Sequence, residues 1–117
     1  MAAPGPVTPA QAQAQALVVT VPAEIDMANA DDLAGQLAAT LAPGVPAVIA
    51  DMTATRFCDS TGIAMLLRAR KRAMANGTNL RVLPSPAVLQ VMHVLGVDAV
   101  LPTFHSLDEA LAGKARQ

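Results

Sequence analysis

Tryptophan and tyrosine are absent from this 117-residue chain, and phenylalanine occurs twice. Any core must therefore be built from aliphatic side chains and alanine, in layers that approach closely enough to exclude water. A single cysteine, Cys58, excludes an internal disulfide. Neither charge dominates: eight Lys and Arg against nine Asp and Glu leave a formal net charge of −1. Such a chain has no field to hold a polyanion, so neither nucleic acid nor an anionic membrane surface is an expected partner. No stretch approaches the roughly 18 consecutive apolar residues of a membrane span. The start lacks the basic segment and apolar run that direct secretion, so the expected compartment is the cytoplasm. His93 and His105 stand without Cys or carboxylate partners at ligand spacing. There is no glycine-rich phosphate loop with its lysine, so no metal or other cofactor is expected.

What is present fits one α/β domain with no internal repeat. Pro4, Gly5, Pro6 and Pro9 keep the opening out of helix and ladder. Residues 1–15 read as a weakly ordered Pro/Ala/Gln arm, 16–113 as the domain and 114–117 as a tail. The β-branched run Leu17-Val18-Val19-Thr20-Val21 predicts a strand. Asn29 is placed to cap a helix, with Asp31 and Asp32 where its dipole favours negative charge, Leu33, Leu37 and Leu41 on one face, and Pro43-Gly44 as its stop. Pro46-Ala47-Val48-Ile49-Ala50 predicts a short buried parallel strand closed by Asp51. A helix is expected over 61–75, stopped by Asn76-Gly77, then a strand over 79–83. Ser85 as cap and Pro86 as first helical residue open a helix that ends near Gly96. Residues 97–101 suggest a last short strand. Ser106 and Glu109 have capping-box spacing before a final helix to about Ala112. Met74 and Met92 are expected to fill the core.

The stretch Phe57-Cys58-Asp59-Ser60-Thr61-Gly62-Ile63 reads as a strand-to-helix loop. Unpaired N–H groups at a helix start tolerate an oxyanion, so a phosphate ester on Ser60 or Thr61 could be held there. Phosphorylation would add about −1.5 to −2 charges beside Asp59 and repel an acidic or apolar partner. On spacing alone the readier role for Ser60 is simply to cap the helix. A nucleophilic serine would need a Gly-x-Ser-x-Gly elbow, which is missing, and His93 or His105 as base. Asp51 and Asp59 fit strand closure and loop support better than magnesium binding. Arg68, Arg70, Lys71 and Arg72 complement the helix dipole, and Arg68 and Arg72 share a face that could meet an acidic patch. Arg56 could reach a phosphate on Ser60. Cys58 could sense oxidation, although free cysteines are commonly just buried.

Asp59-Ser60-Thr61-Gly62-Ile63-Ala64-Met65-Leu66-Leu67 closely resembles the signature of the anti-sigma factor antagonists of the STAS (sulfate transporter and anti-sigma factor antagonist) domain family. The match runs in register from Leu17 to Leu111, with Glu24-Ile25-Asp26 for the family's Glu-Leu-Asp turn and Ser85-Pro86-Ala87-Val88 opening the third helix. The resemblance implies a mixed or parallel sheet of about four to five strands flanked by about four helices. It implies a protein that is not an enzyme, binding no ATP itself. Unphosphorylated, it would capture a serine-kinase anti-sigma factor and free a sigma factor; phosphorylation of the serine after Asp, here Ser60, would release it. A PP2C-type phosphatase would reverse the switch. Asp59, Thr61 and Gly62 would shape the phosphosite loop, and Asp26, Asp59, Ser60 and Ile63 would face the partner. The alternative within the family is a scaffold subunit of a lipid-transport ATPase or a stress-sensing assembly, without a phosphoswitch. Pro22-Ala23 replaces the family's glycine, and the first amino-terminal strand is represented by the arm alone. A shortened sheet edge could alter docking or allow a weak homodimer in place of a monomer.

Overall fold

The computed structural model describes residues 16–41 and 44–113; the expected arm, Pro43 and the expected tail lie outside the described residues. Three apolar runs form a parallel sheet in the order β1-β3-β5, with β1 at Ala16–Thr20, β3 at Ala47–Met52 and β5 at Asn79–Pro84. Val18 lies opposite Ile49, which lies opposite Arg81. β3 is central and apolar on both faces, with Val48, Ile49, Ala50 and Met52 fully enclosed. That is why its sequence does not alternate. Asp51 lies within this strand, not at its end, and Met52 closes it. The Asp51 carboxylate instead accepts hydrogen bonds from the Thr53 N–H (3.0 Å) and hydroxyl (2.7 Å), starting the turn beyond.

Helices α1 (Ala30–Thr40), α2 (Ser60–Ala75) and α3 (Pro86–Leu95) supply Leu33 and Leu37, Ile63, Met65 and Leu66, and Val88 and Met92 to the main core, against Val48, Ala50, Met52, Leu80 and Val82. A smaller cluster of Ile49, Leu83, Phe104 and Ala110 includes α4 (Leu107–Ala112). Arg81 donates to the carbonyls of Ala110 (2.7 Å) and Leu111 (3.3 Å), satisfying acceptors at the end of α4. Gly77 (φ 72°) terminates α2 through bonds from the Gly77 N–H to Met74 and the Thr78 N–H to Ala73.

Several expectations are corrected. Strands β2 (Glu24–Ile25) and β4 (Phe57–Cys58) form a separate parallel pair where the sequence suggested only loop. Asn29 stands at the start of α1 but does not cap it. Its side-chain oxygen accepts from the Asp26 N–H and its amide donates to the Glu24 carbonyl, pinning the turn between β2 and α1. Residues 97–101 form no strand: Val97–Ala99 is a 3₁₀ turn, and the Val100 and Leu101 N–H groups both bond back to Val97, removing them from any ladder. The sheet edge is met by a bridge between Val82 and Thr103. Ser106 accepts from the Glu109 N–H as expected, but Glu109 reaches back to the His105 N–H, one residue beyond the Ser106 N–H that a capping box would use. Met92 is buried, whereas Met74 is 61% exposed.

Candidate functional site

The pairing of Ile25 with Cys58 brings the residues that follow them, Asp26 and Asp59, side by side at the carboxyl ends of β2 and β4. The Asp59 N–H bonds to the Ile25 carbonyl (3.3 Å), tying the two ends together. Asp26 closes its own turn by accepting from the Ala28 N–H at 2.8 Å. Asp59 adopts an extended conformation (ψ −176°), and its carboxylate accepts from the Gly62 N–H at 3.1 Å. The helix cap is therefore Asp59 and not Ser60. A carboxylate is favoured there both as acceptor and by the dipole, a role worth about 1 kcal/mol.

Ser60 becomes the first residue of α2, exposed and without a side-chain hydrogen bond among the described residues. Thr61 is half-buried. Gly62 is enclosed because α2 starts directly on the β2–β4 pair: a Cβ there would lie 2.7 Å from Cys58 Sγ and 2.9 Å from Ile25 Cγ2. Ile63, expected on the partner face, is 2% exposed and packs into the main core, so it supports the loop from behind. Arg56 makes its one ionic contact among the described residues with Glu24, at 3.9 Å between two exposed side chains, a pair of little energetic weight. His93 Nδ1 lies 3.1 Å from Asp98, and neither histidine hydrogen-bonds Ser60 among the described residues, so a serine nucleophile has no base in contact. No group of three His, Cys, Asp or Glu is placed to hold a metal among the described residues. No described helix is long and apolar enough to cross a membrane.

Burial, and secondarily the charge of Asp59, push the Cys58 thiol up from 9.0 to about 11. At neutral pH it stays protonated and poorly nucleophilic, which does not suit an oxidation sensor. Because the folded form holds the proton more tightly, this group's contribution to stability is complete below pH 9.0 and lost as pH rises towards about 11. At pH 8, iodoacetamide is expected to alkylate the native chain about 100-fold more slowly than the urea-unfolded chain. Equal rates, followed by mass spectrometry, would contradict that environment.

Sequence reasoning missed α3 as part of this surface. Ser60 lines a groove of ≈ 420 Å³ together with Ala87, Gln90, Val91, Val94 and Leu95. The available signal was the helix composition: Pro86–Leu95 contains no Asp, Glu, Lys or Arg. Arg68 and Arg72 stand elsewhere, at a crevice between α1 and α2 of ≈ 270 Å³ floored by Leu41, Met65 and Ala69.

A family model for the STAS domain matches residues 8–110 of the chain. Among solved structures, an anti-sigma factor antagonist from Mycobacterium paratuberculosis is 30% identical, with 85% of each chain covered and a TM-score of 0.73. An anti-sigma-factor antagonist (STAS) domain protein from Planctomyces limnophilus is 25% identical, with 86% of this chain and 90% of that one covered and a TM-score of 0.74. A Thermotoga maritima protein at 15% identity, covering 87% of this chain and 89% of its own with a TM-score of 0.75, shares the fold alone. No curated protein matches the sequence.

Proposed function

Because this chain belongs to the STAS domain family, we propose that it is an anti-sigma factor antagonist. Unphosphorylated, it binds a serine-kinase anti-sigma factor and so frees a sigma factor; phosphorylation of Ser60 ends that binding, and a PP2C-type phosphatase restores it. The observation that carries this reading is the exposure of Ser60 at the first position of α2, with the cap supplied by Asp59. A hydroxyl free of structural duty can be modified without dismantling the helix. Asp59 takes the Gly62 and Ile63 N–H groups through its side chain and carbonyl, and those of Ser60 and Thr61 have no partner among the described residues. A phosphate there meets a favourable dipole and free donors, so the switch acts on the surface and not on the fold. Asp26 and Asp59 border the docking face, and the chain performs no reaction of its own.

The test is phosphate transfer. Incubated with ATP and the host's anti-sigma serine kinase, the chain is expected to gain one phosphate, located at Ser60 by fragmentation mass spectrometry and absent from Ser60→Ala. A PP2C-type phosphatase from the same host should remove it. Phosphate on another residue, or none, would overturn the assignment.

A further inference from the structure

Resting on the Ser60 reading, we propose that the outer face of α3 is the second half of the docking surface and receives an uncharged, apolar segment of the anti-sigma kinase. A partner that covers the Ser60 hydroxyl meets α3 next, because both line one groove. On its inner side α3 buries Val88 and Met92, as an amphipathic helix does. Its outer side carries the exposed Gln90 and His93, but between and beside them stand large aliphatic groups: Val94 is 76% exposed, Leu95 49%, and Val91 is half-buried. Large aliphatic side chains gathered on one exposed surface mark a contact site.

Charge selects the occupant. The groove lining contains no ionisable side chain. An uncharged segment enters it without stranding a charge, whereas an acidic or basic one would lose its hydration unpaired. Gln90 alone offers an amide for the backbone of the incoming segment. The same matching gives the switch its direction, since phosphate on Ser60 sets about −1.5 to −2 charges at the rim of a groove with no cation in its lining. The docking surface thus extends from the acidic turn of Asp26 and Asp59 across Ser60 to α3.

The experiment compares Val94→Asp with Met74→Asp, a control at another exposed apolar position, in the full chain titrated calorimetrically against the host's purified anti-sigma serine kinase. Val94→Asp is expected to weaken binding at least tenfold with unchanged circular dichroism and melting temperature, and Met74→Asp by less than twofold. Wild-type affinity in Val94→Asp, with Ser60→Asp still abolishing binding, overturns the α3 proposal and leaves the Ser60 reading standing. Failure of the wild-type chain to bind any such kinase removes both. A photoreactive benzoylphenylalanine at position 94 gives a readout independent of affinity. A cross-link to the kinase supports the proposal; a cross-link to a second copy of this chain assigns the groove to self-association and overturns it.

Discussion

Replacing Ser60 with aspartate is expected to reduce affinity for the anti-sigma kinase by about 100-fold or more while leaving the melting temperature level or slightly raised. The two effects separate because the position is electrostatically two-sided. Towards the helix, a carboxylate at the first position of α2 is favoured by the dipole by about 0.3–1 kcal/mol. Towards the partner, the same carboxylate borders a groove with no cation in its lining. Desolvating it there without a partner costs on the order of 3 kcal/mol, or two decades in affinity. Phosphoserine carries a larger charge and should be released more completely. Ser60→Asn, neutral and of similar size to aspartate, should keep affinity within a few-fold. Calorimetric titration and thermal melts on the three proteins check this. If Ser60→Asp loses binding and melting temperature together, the effect is on folding; if it binds like wild type, Ser60 is not in the interface.

The largest expected effect on stability is at Gly62. Alanine there would place its Cβ 2.7 Å from Cys58 Sγ and 2.9 Å from Ile25 Cγ2, both on short strands that are themselves packed. Helix propensity favours the substitution by about 1 kcal/mol. Overpacking costs about 1–3 kcal/mol in a well-packed core, and here the crowded atoms include a fully enclosed isoleucine. Crowding should win, lowering the melting temperature by several degrees at roughly 4–8 °C per kcal/mol. Gly35→Ala, on α1 with nothing within 4 Å of the added carbon, should do the opposite and stabilise by up to about 1 kcal/mol. The mechanism has its own check: Cys58→Ala removes the closest atom and should recover part of the Gly62→Ala loss in a double-mutant cycle. Additive losses would show that the close approach is not the cause.

Punctuation and continuous apolar runs made much of the fold legible. Ser85 and Pro86 opened α3 and Gly96 closed it where spacing placed them, and Gly77 ended α2. Leu33 and Leu37 and the run from Ala47 to Ala50 identified buried faces. Strands β2 and β4 were not legible because two residues cannot display a period of two, and their pairing depends on chain distant in sequence. Residues 97–101 looked like strand from β-branched content, but the left-handed Gly96 delivers the chain into a turn that takes its own amides. Met74 has a helical spacing that pointed inward, yet it shares the face of α2 that carries Arg70 and Lys71, while Ala69 and Ala73 take the buried one. At the site, the sequence placed a strand-to-helix junction around Asp59 and Ser60, where the structure has one. It did not distinguish Ser60 from Asp59 as the cap, since either residue type serves at that position and only the backbone decides which precedes the helix. The contribution of α3 was hidden because an uncharged apolar helix gives no mark of which side faces out: Val88 and Met92 fill the inner side, while Val94 and Leu95 are exposed.

Among the described residues every ladder between strands is parallel: β1 with β3, β3 with β5 and β2 with β4. No two of these described strands can therefore zip up as a hairpin, and each pairing must first close a loop of roughly thirty residues. Such a topology folds on the order of milliseconds or slower, without a local nucleus among the described strands. During synthesis Ser60 emerges well before α3, and the groove they share cannot exist until the later helix has left the ribosome and docked. On the proposed reading, a kinase that needs both halves would ignore nascent and partly folded chains, so the antagonist molecules it counted would be finished ones.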